Sequence, residues 1–212
     1  MLKFVLDLFF PPVCGICGDF NKDWLCEKCK KKLDLNKKFL IMNIYGKEYK
    51  KFIFLYLYAD IRNMILDYKF NGKSYLYHTF CRMILDNNEI CEELKKYDVV
   101  IPVPMNKKKK ARRGYNQTEL IANCLAKELG LEYNNKSLIK LKSNKTQSTL
   151  TEKERFENVK NIFEIKNKEF IKGKDIVLFD DILTTGATID ECSKVLKKNG
   201  VNDIVVLTLA KD

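Results

Sequence analysis

The segment from Asp175 to Leu209 constrains the fold most. Asp175 to Phe179 reads as an apolar strand that runs into two adjacent carboxylates, Asp180 and Asp181. Small and hydroxylated residues follow, Thr184-Thr185-Gly186-Ala187-Thr188, and a helix from Ala187 or Thr188 to Lys198 is stopped by Asn199-Gly200. Asp203 to Leu209 is a further strand. Strands joined through helices of this length lie parallel, with helices covering the sheet. The alternation starts at Asp98: a short apolar strand to Val103, then a helix over Gln117–Leu129. That helix turns Leu120, Ile121, Cys124, Leu125 and Leu129 inward and ends at Gly130. Ser137 to Leu141 is a weaker strand. The expected fold class is α/β, a parallel sheet flanked by helices.

Upstream, residues 52 to 58 have the aromatic and β-branched content of a strand. Asp60 is placed to cap a helix whose apolar face is Ile61, Ile65, Leu66 and Phe70, broken at Asn71-Gly72. A second helical stretch runs from Ser74 into the Leu85 region. The first ten residues are apolar but too short to span a bilayer, and they lack a small-residue cleavage site. They are read as a short helix, with a membrane-surface contact as the lesser reading, and the expected location is cytoplasmic. Pro11-Pro12 stops that helix.

Of eight cysteines, four crowd into Cys14-x2-Cys17-x8-Cys26-x2-Cys29. Two knuckles with four thiolates are the ligand set of a closed tetrahedral zinc site, so the zinc is structural, and two disulfides are the competing reading. Gly15 and Gly18 are expected to give the tight turns. The expected organisation is a zinc-binding unit over 1–35, then 36–212, divided into a hood over 36–96 and a core over 97–212.

Ligands bind beyond the carboxyl ends of parallel strands. Two adjacent carboxylates repel each other and make poor packing material, but they can accept hydrogen bonds from a vicinal diol or hold a divalent cation. The turn after them offers hydroxyls, a glycine and the amino end of a helix, which suits a phosphate. Diol readers just before a phosphate cradle describe a ribose 5-phosphate.

These residues resemble the signature of the type I phosphoribosyltransferases. The resemblance implies that Asp180 and Asp181 take the ribose hydroxyls of phosphoribosyl pyrophosphate, accompanied by Mg²⁺, and that Thr184, Thr185, Gly186, Ala187 and Thr188 take the 5-phosphate. Ile101-Pro102-Val103-Pro104 with Arg113-Gly114-Tyr115-Asn116-Gln117 is similar to the family's strand and pyrophosphate loop, which implies roles for Pro104, Lys107, Arg113 and Gly114. Residues 142–158 fall where the family has a flexible catalytic loop. There Lys145, Gln147 and Arg155 would reach pyrophosphate, and Thr151-x-x-Glu154 is a capping box. With the four-cysteine knuckle and Tyr68-Lys69-Phe70-x-Gly72, the chain resembles the ComF family (ComFC-type competence proteins). That resemblance implies a role in DNA uptake during natural transformation and a ComFA-type competence ATPase as partner.

The formal net charge is +11. Lys107, Lys108, Lys109, Lys110, Arg112 and Arg113, with Tyr115 beside them, either clamp pyrophosphate or bind single-stranded DNA by backbone charge and stacking, and one patch can do both. Residues 36 to 75 are expected to build the acceptor pocket. The single histidine, His78, is read as a partly exposed helix residue, and no general base is evident. Transfer of phosphoribose to an acceptor and a ligand-gated sensor both remain open.

Overall fold

A computed structural model describes residues 13–35, 37–141 and 152–212. The apolar segment 1–10, Pro11-Pro12 and residues 142–151 lie outside the described residues.

Near-continuous apolar runs make strands only where both faces are buried. β1 (Leu40–Asn43) and β2 (Lys51–Leu57) are followed by helices α2 (Tyr58–Phe70), α3 (Leu76–Leu85) and α4 (Asn88–Leu94). A shorter helix, α1 (Glu27–Asp34), precedes them. Then come β3 (Val99–Pro102), α5 (Lys107–Arg113), α6 (Gln117–Leu129), β4 (Glu132–Tyr133) and β5 (Leu138–Lys140). The chain ends with α7 (Glu152–Val159), β6 (Phe163–Ile165), α8 (Lys168–Ile171), β7 (Asp175–Leu183), α9 (Ala187–Lys198) and β8 (Asp203–Lys211).

Six strands form one sheet in the order β1-β2-β8-β7-β3-β4. All its neighbours pair parallel except the antiparallel edge pair β1 and β2. Side chains alternate across it. Val177, Phe179, Val205 and Leu207 pack with Ile61, Phe80, Ile121 and Leu125 on one face. Ile176, Leu178, Ile204 and Val206 pack with Ile189 and Leu196 on the other. The expected parallel α/β class is the one observed.

Several local expectations change. β7 does not stop at the acidic pair: Asp180 pairs with Thr208 and Leu183 with Lys211, so β8 carries the strand four residues past Phe179. β3 stops earlier, at Pro102 opposite Phe179. The overhang leaves one side of β7 open beyond β3, and the site forms there. Ser137–Leu141 does not join the parallel sheet, because Leu138–Lys140 pairs antiparallel with Phe163–Ile165. Asp60 lies in the first turn of α2 without capping it, since the cap position is Leu57. Phe70 is 65% exposed, and Tyr68 takes the buried place instead.

The four-cysteine unit is not separate from this core. Cys14, Leu25, Cys29 and Leu33 belong to the cluster that holds Leu76 and Phe80. Thr79 Oγ1 donates to the Trp24 carbonyl at 2.8 Å, the Trp24 ring stacks on His78 at 4.2 Å, and Lys30 pairs with Asp86 at 2.9 Å. Gly18 makes its turn with a positive φ of 78°, as expected. Gly15 lies in the turn over residues 15–17 and also serves close approach, since a Cβ there would run into Thr79 Oγ1.

Candidate functional site

Arg113-Gly114-Tyr115-Asn116-Gln117-Thr118 shapes the floor of the site, each residue doing a separate job. Gly114 ends α5 with a φ of 84°, which a side chain would strain. Asn116 caps α6 by accepting from Thr118 N–H, and Thr118 Oγ1 lies 2.9 Å from the Val103 carbonyl, tying α6 to the end of β3. The Tyr68 hydroxyl donates to the Gln117 carbonyl at 2.8 Å, and the Tyr115 hydroxyl donates to the Tyr68 carbonyl. α2 and α6 are thereby fixed to each other, and Gln117 is held between two charges. Its amide accepts from the Arg113 guanidinium and donates to Asp181 Oδ2 at 2.9 Å.

A cavity of about 400 Å³ opens beyond the end of β3, along the last residues of β7. Asp180, Asp181, Thr184, Thr185, Gly186, Ala187 and Thr188 all line it, together with Pro104 and Arg113. Gly186 precedes α9 with a φ of 79°, and this left-handed turn aims the amino end of α9 at the cavity. The first N–H groups of a helix have no partners within it, so they are available to an anion.

Lys107 and Gly114 lie outside the lining. The basic run is a short helix, closed by the Asn106 cap and Gly114, and it splits by face. Lys109 and Arg113, one turn apart, face the cavity, and with Arg112 they also line a second cavity of about 340 Å³ beside Phe70 and Tyr115. Lys110 is instead paired with Glu119 at 2.6 Å. Arg113 lies over the Phe70 ring, 5.3 Å from its centroid. Lys145 and Gln147 lie outside the described residues, and of Arg155 only the backbone is described, within α7.

Two charged lining residues carry no site role in the sequence reading. Lys69, at the end of α2, places its ammonium 2.8 Å from Asp181 Oδ2. Lys140, at the end of β5, also lines the cavity. Both look like ordinary surface lysines in one dimension, and only Tyr68-Lys69-Phe70-x-Gly72 carried a signal. His78 is half-buried beside Trp24 and Tyr77 and lines neither cavity.

The acidic pair is electrostatically unequal. Burial, reinforced by the charge of Asp181, pushes the Asp180 carboxyl up to about 7, against a bond from Asp181 N–H and the charges of Lys69 and Lys140. Burial lowers the Lys140 ammonium. A carboxyl whose folded pKa is raised destabilises the native state as pH climbs from its unfolded value of 3.8 towards about 7. Asp180→Asn removes that cost while still accepting from Asp181 N–H. It is expected to raise the melting temperature by ~3 °C or more at about pH 8 and by less at about pH 5, as scanning calorimetry would record.

The sulfurs of Cys14, Cys17, Cys26 and Cys29 lie within 4.8 Å of one another and form no disulfide. Burial raises the Cys14 thiol, but N–H groups of Cys17, Cys26 and Ile16 outweigh it and bring the group down to about 6. N–H donors aimed at sulfur favour a thiolate, so this group can hold a metal ion.

Residues 113–212 match the family described as the phosphoribosyl transferase domain. Competence protein F of Haemophilus influenzae is 30% identical over 206 residues, 94% of this chain and 85% of that protein. Competence protein ComFC of Bacillus subtilis is 32% identical over 69% of this chain and 58% of its own length. DNA utilization protein YhgH of Salmonella typhimurium is 28% identical over 68% of this chain and 63% of its own. Among solved structures, orotate phosphoribosyltransferase from Aeropyrum pernix is 19% identical over 87% of this chain and 80% of that one, with a TM-score of 0.41. A likeness that loose carries no argument about the site.

Proposed function

Since the chain belongs to the ComF family of phosphoribosyltransferase-like competence proteins, we propose that its cavity binds phosphoribosyl pyrophosphate and that this ligand serves DNA uptake. One observation carries the reading: Asp180 and Asp181 line the same cavity as the Thr184–Thr188 turn at the amino end of α9. The carboxylates accept from the ribose hydroxyls, and the backbone and hydroxyls of the turn take the 5-phosphate. Pro104, Arg113 and Lys109 supply the pyrophosphate side, and Lys107 and Gly114 shape or flank it. Lys145, Gln147 and Arg155 belong to the proposal as residues that contact pyrophosphate.

Zinc is the proposed ion of the four cysteines, with a structural role, because all four ligand positions come from protein. Magnesium fits the acidic pair poorly. Asp181 Oδ2 is committed to Lys69 and Gln117, Asp180 Oδ1 accepts from Asp181 N–H, and a resident ammonium repels a second cation. A cytoplasmic location and a ComFA-type ATPase partner complete the proposal. Among the described residues no helix is long and apolar enough to cross a membrane.

Thermal-shift titration with phosphoribosyl pyrophosphate tests the reading. Saturable stabilisation supports it, and an unchanged melting temperature at millimolar ligand overturns it. Release of pyrophosphate with a nitrogenous acceptor would mark a transferase, while tight binding without release across a broad acceptor panel would mark a sensor.

The second cavity favours single-stranded DNA as a further ligand. Lys69, Lys109, Arg112 and Arg113 line it with Phe70 and Tyr115, and no carboxylate does. With Lys69 held by Asp181, neutralising about three phosphates predicts a slope of roughly −2 for log affinity against log salt, and a slope near zero rejects DNA binding.

A further inference from the structure

The carboxylate of Asp181 already has a cation. Lys69 Nζ lies 2.8 Å from Oδ2, with the lysine side chain 16% exposed and the aspartate side chain 8% exposed. Gln117 Nε2 donates to the same oxygen at 2.9 Å and is itself fixed through Arg113 and the Tyr68 hydroxyl. A lysine in the last turn of a helix usually satisfies the helix dipole from the surface. Lys69 turns instead into the wall shared by both cavities.

The charges explain why that placement matters. Two adjacent carboxylates need a positive partner before they can both face a ligand that also carries phosphate. In a bare acidic pair a divalent metal supplies it. Here an ammonium on the chain does so, and the same carboxylate oxygen is left with little capacity for a metal.

We infer that Lys69 is the resident counter-ion of the acidic pair, so that this protein holds the sugar and 5-phosphate of its ligand without a metal ion on the carboxylates. The inference rests on the phosphoribosyl reading of the cavity. It makes Lys69 a positioning residue, and it confines any magnesium dependence to the pyrophosphate part of the ligand.

Ribose 5-phosphate is the discriminating probe, because it keeps the diol and the 5-phosphate and lacks pyrophosphate. Calorimetric titration of the full chain in EDTA and in millimolar magnesium should give affinities within about twofold of each other for the wild type. Lys69→Gln should lose about tenfold or more in EDTA and regain part of that in magnesium, while Lys69→Arg keeps the charge and binds in EDTA. Melting curves of both variants report on folding, and the wild-type metal comparison stands even where Lys69→Gln folds poorly. The inference is overturned by wild-type binding that falls about tenfold without magnesium, or by a folded Lys69→Gln that matches the wild type in EDTA. Absence of ribose 5-phosphate binding by the wild type under both conditions overturns the phosphoribosyl reading itself, and this inference with it.

Discussion

Cys29→Ser should lower the melting temperature of the whole chain by ~10 °C or more, not merely loosen its first residues. A structural metal in a small four-cysteine unit contributes on the order of 10 kcal/mol to folding, comparable with the total stability of an ordinary domain. The effect reaches the whole chain because the unit shares its core. Cys29 is 6% exposed on α1, and Leu25 and Leu33 pack in the same cluster as Leu76 and Phe80 of α3. Loss of the metal would also release the contacts of Gly15 and Trp24 with α3. Calorimetry with and without a chelator, paired with elemental analysis of zinc, checks this. One zinc per chain and a single shifted transition are expected. A chelated protein that keeps the melting temperature of the untreated wild type would contradict it.

The double variant Asp180→Asn with Asp181→Asn should weaken phosphoribosyl pyrophosphate by about 100-fold or more. Each hydrogen bond from a sugar hydroxyl to a carboxylate is worth about 1.5–3 kcal/mol, and the variant replaces both charged acceptors. Asp181→Asn also leaves the Lys69 ammonium without its partner inside the cavity, so part of the loss is misplacement of that side chain. The two substitutions act oppositely on folding: Asp180→Asn removes a carboxyl held at about 7, and Asp181→Asn strands the Lys69 ammonium. Equilibrium titration beside a melting curve separates the two effects. A folded double variant that binds within about threefold of the wild type would remove the carboxylates from the site.

How far these features could be read from one dimension depended on whether they were local. β7, α9 and β8 are strong periodic segments with their own stop signals, so their existence, order and parallel pairing were legible. α6 was legible to its last residue because Asn116 caps it and Gly130 ends it. The four-cysteine unit was legible as a ligand set, but its docking on α3 was not, since nothing in Cys14–Cys29 announces Thr79 or His78. The pairing of Leu138–Lys140 was not legible, because its partner, Phe163–Ile165, lies beyond a long polar connection. The strand through Asp180 and Asp181 looked finished at the first charge. It continues because β8 supplies its pairing, a non-local cause. Lys107–Arg113 has no apolar periodicity, so its helix and its division into a cavity face and an outer face were hidden. Lys69 was hidden for a non-local reason: its role depends on Asp181, far along the chain.

The most direct measurement is a crystal structure of the full chain with ribose 5-phosphate. The account predicts the phosphate against the backbone of Thr184 to Thr188 and the sugar hydroxyls on Asp180 and Asp181. A sugar phosphate held instead on Lys109 and Arg112 in the second cavity, with the acidic pair untouched, would contradict it.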